Sequence, residues 1–357
     1  MAEDVIYLDS AATEKPLLCA LDAFYDALDL SFGNPSSAHA YGQRAREALE
    51  DARARIAKCI GAKPEEIFFV SGATEGCAQV LRSLHQEGYY IKESPFEHHA
   101  VSENIPFPRN DETHDTTAYA TMLVNNETGQ ILPVPERKSW DELVFSDLTA
   151  AVGHIPVNVK ELKLDYGVFA AHKFGGLPGI GVVYAREDAP LVALMSGGGQ
   201  ERGARAGTES VALACAMVSA LEWQCEHMEE NLTRVQKLWF LMAKTLENSG
   251  TDFLINLALP RILQLSSPYI LNVSFPGVEG SALALMLSKE GVMVSTGAAC
   301  TTGDNAPSHV LMELYGDEAR ARSAIRISFS WETTKEEVVK AAEKIAECVR
   351  MLRSFGT

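Results

Sequence analysis

Lys173 stands out by its setting. It follows His172 directly after a short apolar run, Tyr166 to Phe169. A glycine-rich turn comes next, then a second apolar run, Val182 to Ala185. A lysine held between two buried strands loses hydration and its pKa falls, so its free amine can form a Schiff base with an aldehyde cofactor. The same run also reads as a surface hairpin with a solvated lysine, the commoner fate of that residue type. Other residues tip the balance. Ser71-Gly72-Ala73-Thr74-Glu75 follows the apolar Ile67–Val70 and opens a helix. Backbone N–H groups, a hydroxyl and the helix dipole there converge as a phosphate cradle, although a plain N-cap uses the same residues. Asp147 puts a carboxylate at the end of another apolar run, Leu143 to Phe145. His98 and His99 suggest a metal, but adjacent side chains diverge and no third ligand is evident, so ring stacking or proton transfer fits as well. In the glycine-rich stretch Ser196–Thr208, Arg202, Arg205 and Thr208 suit an anion, or else an ion-paired contact. Cys300 sits among small and polar residues, where an exposed thiol can be a nucleophile, though most loop cysteines are inert.

These side chains need a scaffold to position them. Apolar runs at Val5–Leu8, Ile67–Val70, Tyr89–Ile91, Thr121–Val124, Leu143–Asp147, Tyr166–Phe169 and Val182–Ala185 read as strands. Between them lie helical patterns: Pro16 opens one to about Leu30, and Ala38 to Ile60 repeats apolar residues at three and four before Gly61 stops it. Strands alternating with helices imply a mostly parallel sheet, whose ligands bind at the carboxyl ends of the strands. Thr74, Asn126, Asp147 and Lys173 all fall at such ends. From Thr208 a long helix runs to about Asn248. The pattern changes over the last hundred residues. Strands are expected there at Tyr269–Phe275, Val292–Ser295 and Ala324–Phe329, with a helix over Glu279–Glu290. A closing helix starts at a capping box, Thr334-x-x-Glu337. This order predicts an α+β module with its own core.

Composition narrows the function. The 357 residues are 46% apolar and 22% charged, ordinary for a globular protein of up to two domains. A formal net charge of −17 argues against nucleic acid or an anionic membrane as the main partner. No apolar run approaches the length of a membrane span, and the acidic start lacks the basic region of a signal peptide. Seven cysteines without C-x-x-C pairs suit neither a zinc site nor a disulfide framework, so a reducing cytoplasm is the expected home.

Taken in order, the motifs resemble the cysteine desulfurases, pyridoxal 5'-phosphate (PLP) enzymes of the class V aminotransferase group with the type I fold. The resemblance rests on Tyr7-Leu8-Asp9, Phe-Gly-Asn-Pro-Ser-Ser at 32–37, Ser-Gly-Ala-Thr-Glu at 71–75, Glu-His-x-Ala-Val at 97–101 and Val-Asn-Asn-Glu-x-Gly at 124–129. It continues through Asp147, His172-Lys173, the glycine-arginine stretch 197–208, Gly-x-Ala-Cys at 297–300 and Ile-Arg-x-Ser at 325–328. It implies an α/β fold: a large PLP-binding domain over 15–250 with a mostly parallel, seven-stranded-type sheet flanked by helices, and a smaller α+β domain of 1–14 and 251–357 carrying the cysteine loop. It also implies roles. Lys173 would hold the cofactor and shuttle the Cα proton, Asp147 would pair with the pyridine nitrogen, and His98 would stack on the ring. Ala73, Thr74 and His172 would bind phosphate, with Thr208 reaching in from a second subunit of a homodimer. Asn126 and Arg326 would hold the carboxylate of L-cysteine, and Cys300 would take its sulfur as a persulfide for an acceptor, such as an iron–sulfur scaffold or a tRNA-thiolation enzyme. Two positions depart from the family: Ala150 stands where a glutamine usually bonds the cofactor's phenolic oxygen, and Ala170 where a serine usually bonds phosphate. A selenocysteine lyase, another β-eliminating PLP lyase and a non-catalytic scaffold of the same fold are the competing expectations. Product analysis separates the lyases, and absence of a visible cofactor band marks the scaffold.

Overall fold

The computed structural model describes residues 5–105, 116–139, 141–257, 265–296 and 306–355. In chain order they form β1 (Ile6–Tyr7), α1 (Leu18–Leu30), α2 (Ala40–Ile60), β2 (Ile67–Val70), α3 (Ala73–Gln86), β3 (Tyr90–Glu93), α4 (His99–Ser102), β4 (Thr117–Met122), β5 (Glu142–Asp147), β6 (Tyr166–Ala170) and β7 (Gly181–Ala185). Then come α5 (Val211–Asn248), β8 (Leu254–Ile255), β9 (Ile270–Ser274), α6 (Gly280–Lys289), β10 (Val292–Met293), α7 (His309–Tyr315), α8 (Glu318–Arg322), β11 (Ala324–Ser328) and α9 (Lys335–Phe355). Two compact units result. The larger holds Glu14–Leu123 and Leu132–Met228; the smaller holds Met1–Thr13, Val124–Ile131 and Glu229–Thr357. The long helix α5 belongs to the larger unit up to Met228 and to the smaller from Glu229.

The larger unit is α/β, as its alternating pattern requires. Its described strands form one six-stranded sheet in the order β2-β7-β6-β5-β4-β3. Strands β3 to β6 run parallel, while β7 is antiparallel to both β6 and β2. Every residue of β6 and β7 is buried, as expected where helices cover both faces of a sheet. Helix α3 packs Cys77, Val80, Leu81 and Leu84, one stripe at helical spacing, against Val168 and Val183 of the sheet. Each large aliphatic side chain so buried contributes about 1.5–3 kcal/mol. Gly76 permits the approach: a Cβ there would lie 2.8 Å from Val168 Cγ1 and 3.0 Å from Val183 Cγ2. Gly76→Ala would push α3 off the sheet.

One strand lies earlier than its apolar run suggests. The run Thr121–Val124 reads as a strand, yet β4 spans Thr117–Met122 and Val124 pairs with Ile131 in an isolated antiparallel bridge. Asn125 causes the shift. Its Oδ1 accepts from the backbone N–H of Glu127 (3.0 Å) and of Thr128 (2.8 Å), an Asx turn that folds the chain back at once.

The smaller unit is α+β. Strands β11, β9 and β8 form an antiparallel sheet, and β1 pairs with β10 in parallel. Ile6 and Leu8 enter a core with Val273, Ile325, Ile327 and the buried stripe Val338, Ala341, Ala342, Ile345 of α9. The expected capping box forms: Thr334 Oγ1 accepts from Glu337 N–H (3.2 Å) while Glu337 Oε2 accepts from Thr334 N–H (2.7 Å).

Candidate active site

The carboxyl ends of the sheet carry most of the candidates in the larger unit. Asp147 is the last residue of β5 and is buried; in the strand register it faces Met122 of β4 and Val168 of β6. Its backbone carbonyl accepts from Leu123 N–H (3.0 Å), and its Oδ1 accepts from Thr149 N–H (2.9 Å). Because β5 and β6 are parallel, Lys173, three residues past the end of β6, lies beyond the same edge of the sheet. Lys173 is half-buried and closes a single 3₁₀ turn, Ala171–Lys173. Two backbone bonds hold that turn: His172 C=O accepts from Glu14 N–H and Gly175 C=O from Leu17 N–H, both at 2.8 Å. Gly175 and Gly179 supply the left-handed backbone, with φ of +84° and +96°, that brings the chain back into β7. Burial, and then the charge of Lys173, lower the pKa of His172 to about 4, so this imidazole is neutral at ordinary pH.

His98 caps the short helix α4, and its Nδ1 accepts from Ala100 N–H at 3.0 Å. A nitrogen that accepts carries no proton, so the neutral ring holds its proton on Nε2. The residue before it, Glu97, is buried, and its Oε1 accepts from Met122 N–H at 2.6 Å. That bond ties the His98 turn to the end of β4, directly across from Asp147. Burial first, and then the nearby Asp147 charge, raise the pKa of Glu97 to about 8. Glu97 has no signal in the sequence beyond its place directly before His98.

Thr74 stands exposed in the first turn of α3, after Ala73, where the helix's first N–H groups have no intrahelical partner. Ser71 N–H donates to Glu75 Oε2 (2.8 Å), and Glu75 is paired with Arg205 (2.9 Å). Arg205 is therefore committed, and so is Arg202, whose Nη2 donates to Ile67 C=O (2.6 Å) and whose guanidinium stacks 4.2 Å from the Phe68 ring centre. This changes the reading of 196–208 as a loose basic loop with two arginines ready for an anion. Its anchor is Glu201, buried, gripped by Arg53 through two 2.8 Å bonds and accepting from Phe69 N–H at 2.8 Å. Glu201 and Arg202 both take left-handed φ, +47° and +56°, a strain that the clamp offsets. Thr208 is exposed and lines a cavity of about 90 Å³ with Ser71, Gly179 and Arg205.

In the smaller unit, Arg326 sits buried in β11, and Ser295 exchanges both backbone bonds with it (2.7 and 3.1 Å). Arg326 Nη1 donates to the backbone carbonyl of Asn126 (2.9 Å) and Nη2 to Asp9 Oδ1 (2.9 Å). Its Nε is buried and has no hydrogen-bond partner among the described residues. In the sequence, Asp9 is legible only as part of the opening motif, not as the partner of Arg326. The neighbour of Asn126, Glu127, accepts from Ser308 Oγ at 2.5 Å. Cys300 lies outside the described residues; the segments that flank it are held at Ser295 by Arg326 and at Ser308 by Glu127.

A mixed sheet of this order, with an amine and a carboxylate past adjacent strand ends and a separate α+β unit, is the type I fold of PLP-dependent enzymes. The chain matches the aminotransferase class-V family over residues 6–106 and 109–340. It is 36% identical to the cysteine desulfurase IscS of Dictyoglomus turgidum, with 98% of this chain and 96% of that one covered. It is 34% identical to the cysteine desulfurase of Mus musculus, with 98% and 83% covered. A solved structure described as a NifS-like protein superposes with a TM-score of 0.88 at 33% identity, covering 97% of this chain and 100% of that one. The chain belongs to the class-V aminotransferase family, in its NifS-like cysteine desulfurase group.

The residues present fit PLP. An amine, a buried carboxylate, a helix N-terminus and an imidazole are the groups the cofactor needs. Ala150 and Ala170 offer no polar side chain, but Thr149 Oγ1, on the residue whose N–H binds Asp147, is buried without a hydrogen-bond partner among the described residues. Among those residues no cluster of three or more His, Cys, Asp or Glu suits a metal, and no helix is long and apolar enough to cross a membrane.

Proposed function

We propose that this chain is a PLP-dependent cysteine desulfurase that converts L-cysteine to L-alanine and passes the sulfur to Cys300 as a persulfide. The observation that carries the reading is Lys173 and Asp147 past the ends of the neighbouring parallel strands β6 and β5, in a chain of this family. Bound PLP supplies the electron sink that makes the substrate Cα–H acidic and weakens its C–S bond. Asp147 keeps the pyridine nitrogen protonated. Lys173 binds the cofactor's aldehyde carbon and moves the Cα proton. His98, with its proton on Nε2, stacks on the ring and assists that transfer. Ala73 and Thr74 at the start of α3 hold the phosphate with His172, which contributes an N–H rather than a charge. Thr208 of the partner subunit completes the grip in a homodimer. Arg326, with its unpartnered buried Nε, and Asn126 hold the substrate carboxylate. The Cys300 thiolate attacks the substrate sulfur: the S–S bond forms, the C–S bond breaks with its electron pair left on carbon, and protonation of that carbon completes alanine. The domain assignment that goes with this reading is 15–250 for cofactor binding and 1–14 with 251–357 for the cysteine loop. A cytoplasmic setting and an acceptor in iron–sulfur assembly or tRNA thiolation complete it.

The test is an absorption spectrum of the purified protein, followed by L-cysteine with and without Cys300→Ala. A visible cofactor band and alanine production that disappears in the variant are expected. Alanine production indifferent to Cys300 would turn the reading to a selenocysteine lyase or another β-eliminating lyase. A colourless protein that cannot be loaded with PLP would end the enzyme reading.

A further inference from the structure

Two thiols that the proposed chemistry leaves unused meet between α2 and α5. Cys59 lies in the last turn of α2 and Cys225 midway along α5; both are half-buried, and the Cys59 thiol is hydrogen-bonded to Cys225. One turn away, Arg55 of α2 grips Glu222 of α5 through two bonds, Nε to Oε1 at 2.9 Å and Nη2 to Oε2 at 2.5 Å. The steps from Arg55 to Cys59 and from Glu222 to Cys225 each span about one helical turn, so the ion pair and the thiol pair are successive rungs of one interhelical ladder. The ion pair therefore fixes the register at which the sulfurs face each other. The other described cysteines are placed differently. Cys77 and Cys348 are fully buried, Cys19 Sγ donates to Ser219 C=O at 3.7 Å, and Cys215 is held well protonated by burial.

We propose that Cys59 and Cys225 form a peroxide-reactive dithiol, with Cys225 attacking and Cys59 resolving, that closes to a disulfide stapling α2 to α5. The direction of the hydrogen bond assigns the roles. Cys59 donates its S–H to the sulfur of Cys225, which favours thiolate character there and keeps the proton on Cys59. The titration of the pair follows the same asymmetry. The bond from Cys59 lowers the pKa of Cys225 against burial and the charges of Glu222 and Glu226, while the same bond and burial raise Cys59. Half-burial admits a small oxidant such as hydrogen peroxide. The Cys225 thiolate attacks one peroxide oxygen, the O–O bond breaks, and a sulfenic acid forms as hydroxide leaves. Cys59 then attacks the Cys225 sulfur. The S–S bond forms, the S–O bond breaks, and the hydroxyl leaves as water with the Cys59 proton. Two thiols lose two electrons in all, and one peroxide becomes two waters. Nothing in this step depends on desulfurase activity.

The full chain is treated with hydrogen peroxide in stoichiometric amounts, quenched, digested without reductant and mapped by mass spectrometry, with and without dimedone. A Cys59–Cys225 cross-linked peptide that disappears on reduction is expected in the wild type, a result that needs no variant. In Cys59→Ser, dimedone should mark Cys225 at least tenfold more than it marks Cys59 in Cys225→Ser. A wild-type map without the Cys59–Cys225 peptide, or with Cys225 joined to Cys215 or Cys19 instead, would overturn the pairing. Equal marking of the two variants would overturn the assignment of roles.

Discussion

The two groups of candidate residues are assembled in opposite ways. In the larger unit, Asp147 and Lys173 owe their positions to one sheet. The β4–β5–β6 register sets where Asp147 ends, and the turn after β6 sets Lys173. In the smaller unit, Arg326 is positioned by residues far away in the chain: Asp9, 317 residues earlier, and the carbonyl of Asn126, 200 residues earlier. A ladder of backbone bonds does not depend on any one side chain, so the first group should survive single substitutions with its geometry intact. A buried guanidinium held by one carboxylate and one carbonyl has no such redundancy, and removing one partner leaves an uncompensated buried group.

The largest effect expected is at the sheet. Lys173→Ala should lower alanine formation from L-cysteine by roughly a thousandfold while thermal unfolding stays near wild type, because the turn is held by backbone bonds. A matching collapse in stability would show that this region is no more robust than the other. Next comes Arg326→Gln, which removes a charged grip of about 1.5–3 kcal/mol and so should raise KM for L-cysteine about 10- to 100-fold with a smaller change in kcat. Steady-state kinetics at saturating PLP decide this; an unchanged KM with a fallen Tm would make Arg326 merely the structural partner of Asp9.

Glu97 tests the sheet site through pH. In the folded chain it keeps its proton up to about pH 8, whereas its ordinary pKa is 4.5. Between those values the folded state binds more protons than the unfolded one, so stability falls as pH rises through that window. Glu97→Gln has no proton to lose. Its stability relative to wild type should therefore climb from pH 5 to pH 8, by up to about 1.4 kcal/mol per pH unit, in urea unfolding curves. A difference that stays flat across that range would mean Glu97 is ionised in the fold. The smallest effect belongs to Asp9→Asn. It keeps a hydrogen-bond acceptor but loses the charge that orients Arg326, a change of about 1 kcal/mol, and KM should rise about fivefold. A fall in KM would mean instead that Asp9 competes with the substrate carboxylate.

What is legible in the sequence follows the same division. Apolar runs ending in one polar residue announce strand ends, so the pattern alone places Asp147 and Lys173. The Asx turn at Asn125 hides the true limits of β4, because an apolar run looks the same whether it continues a strand or enters a turn. Glu97, Glu201 and Asp9 escape notice for one reason. A carboxylate reads as surface in a sequence, and what buries it lies elsewhere: Arg53 stands 148 residues from Glu201. The arginines of the glycine-rich loop mislead likewise, since nothing local reveals that Glu75 and the Phe68 ring already occupy them.

The parallel pairing of β1 with β10 bears on how the chain matures as it is made. On a ribosome the larger unit's sheet is complete once β7 has emerged at Ala185. Ile6, among the earliest residues to appear, finds its partner only when Val292 is synthesised, and Asp9 finds Arg326 later still. Through most of translation the first strand is an unpaired apolar edge, even after the six-stranded sheet is finished. At roughly 5–20 residues per second this lasts some 15–60 seconds, during which a chaperone, rather than the native fold, must cover it.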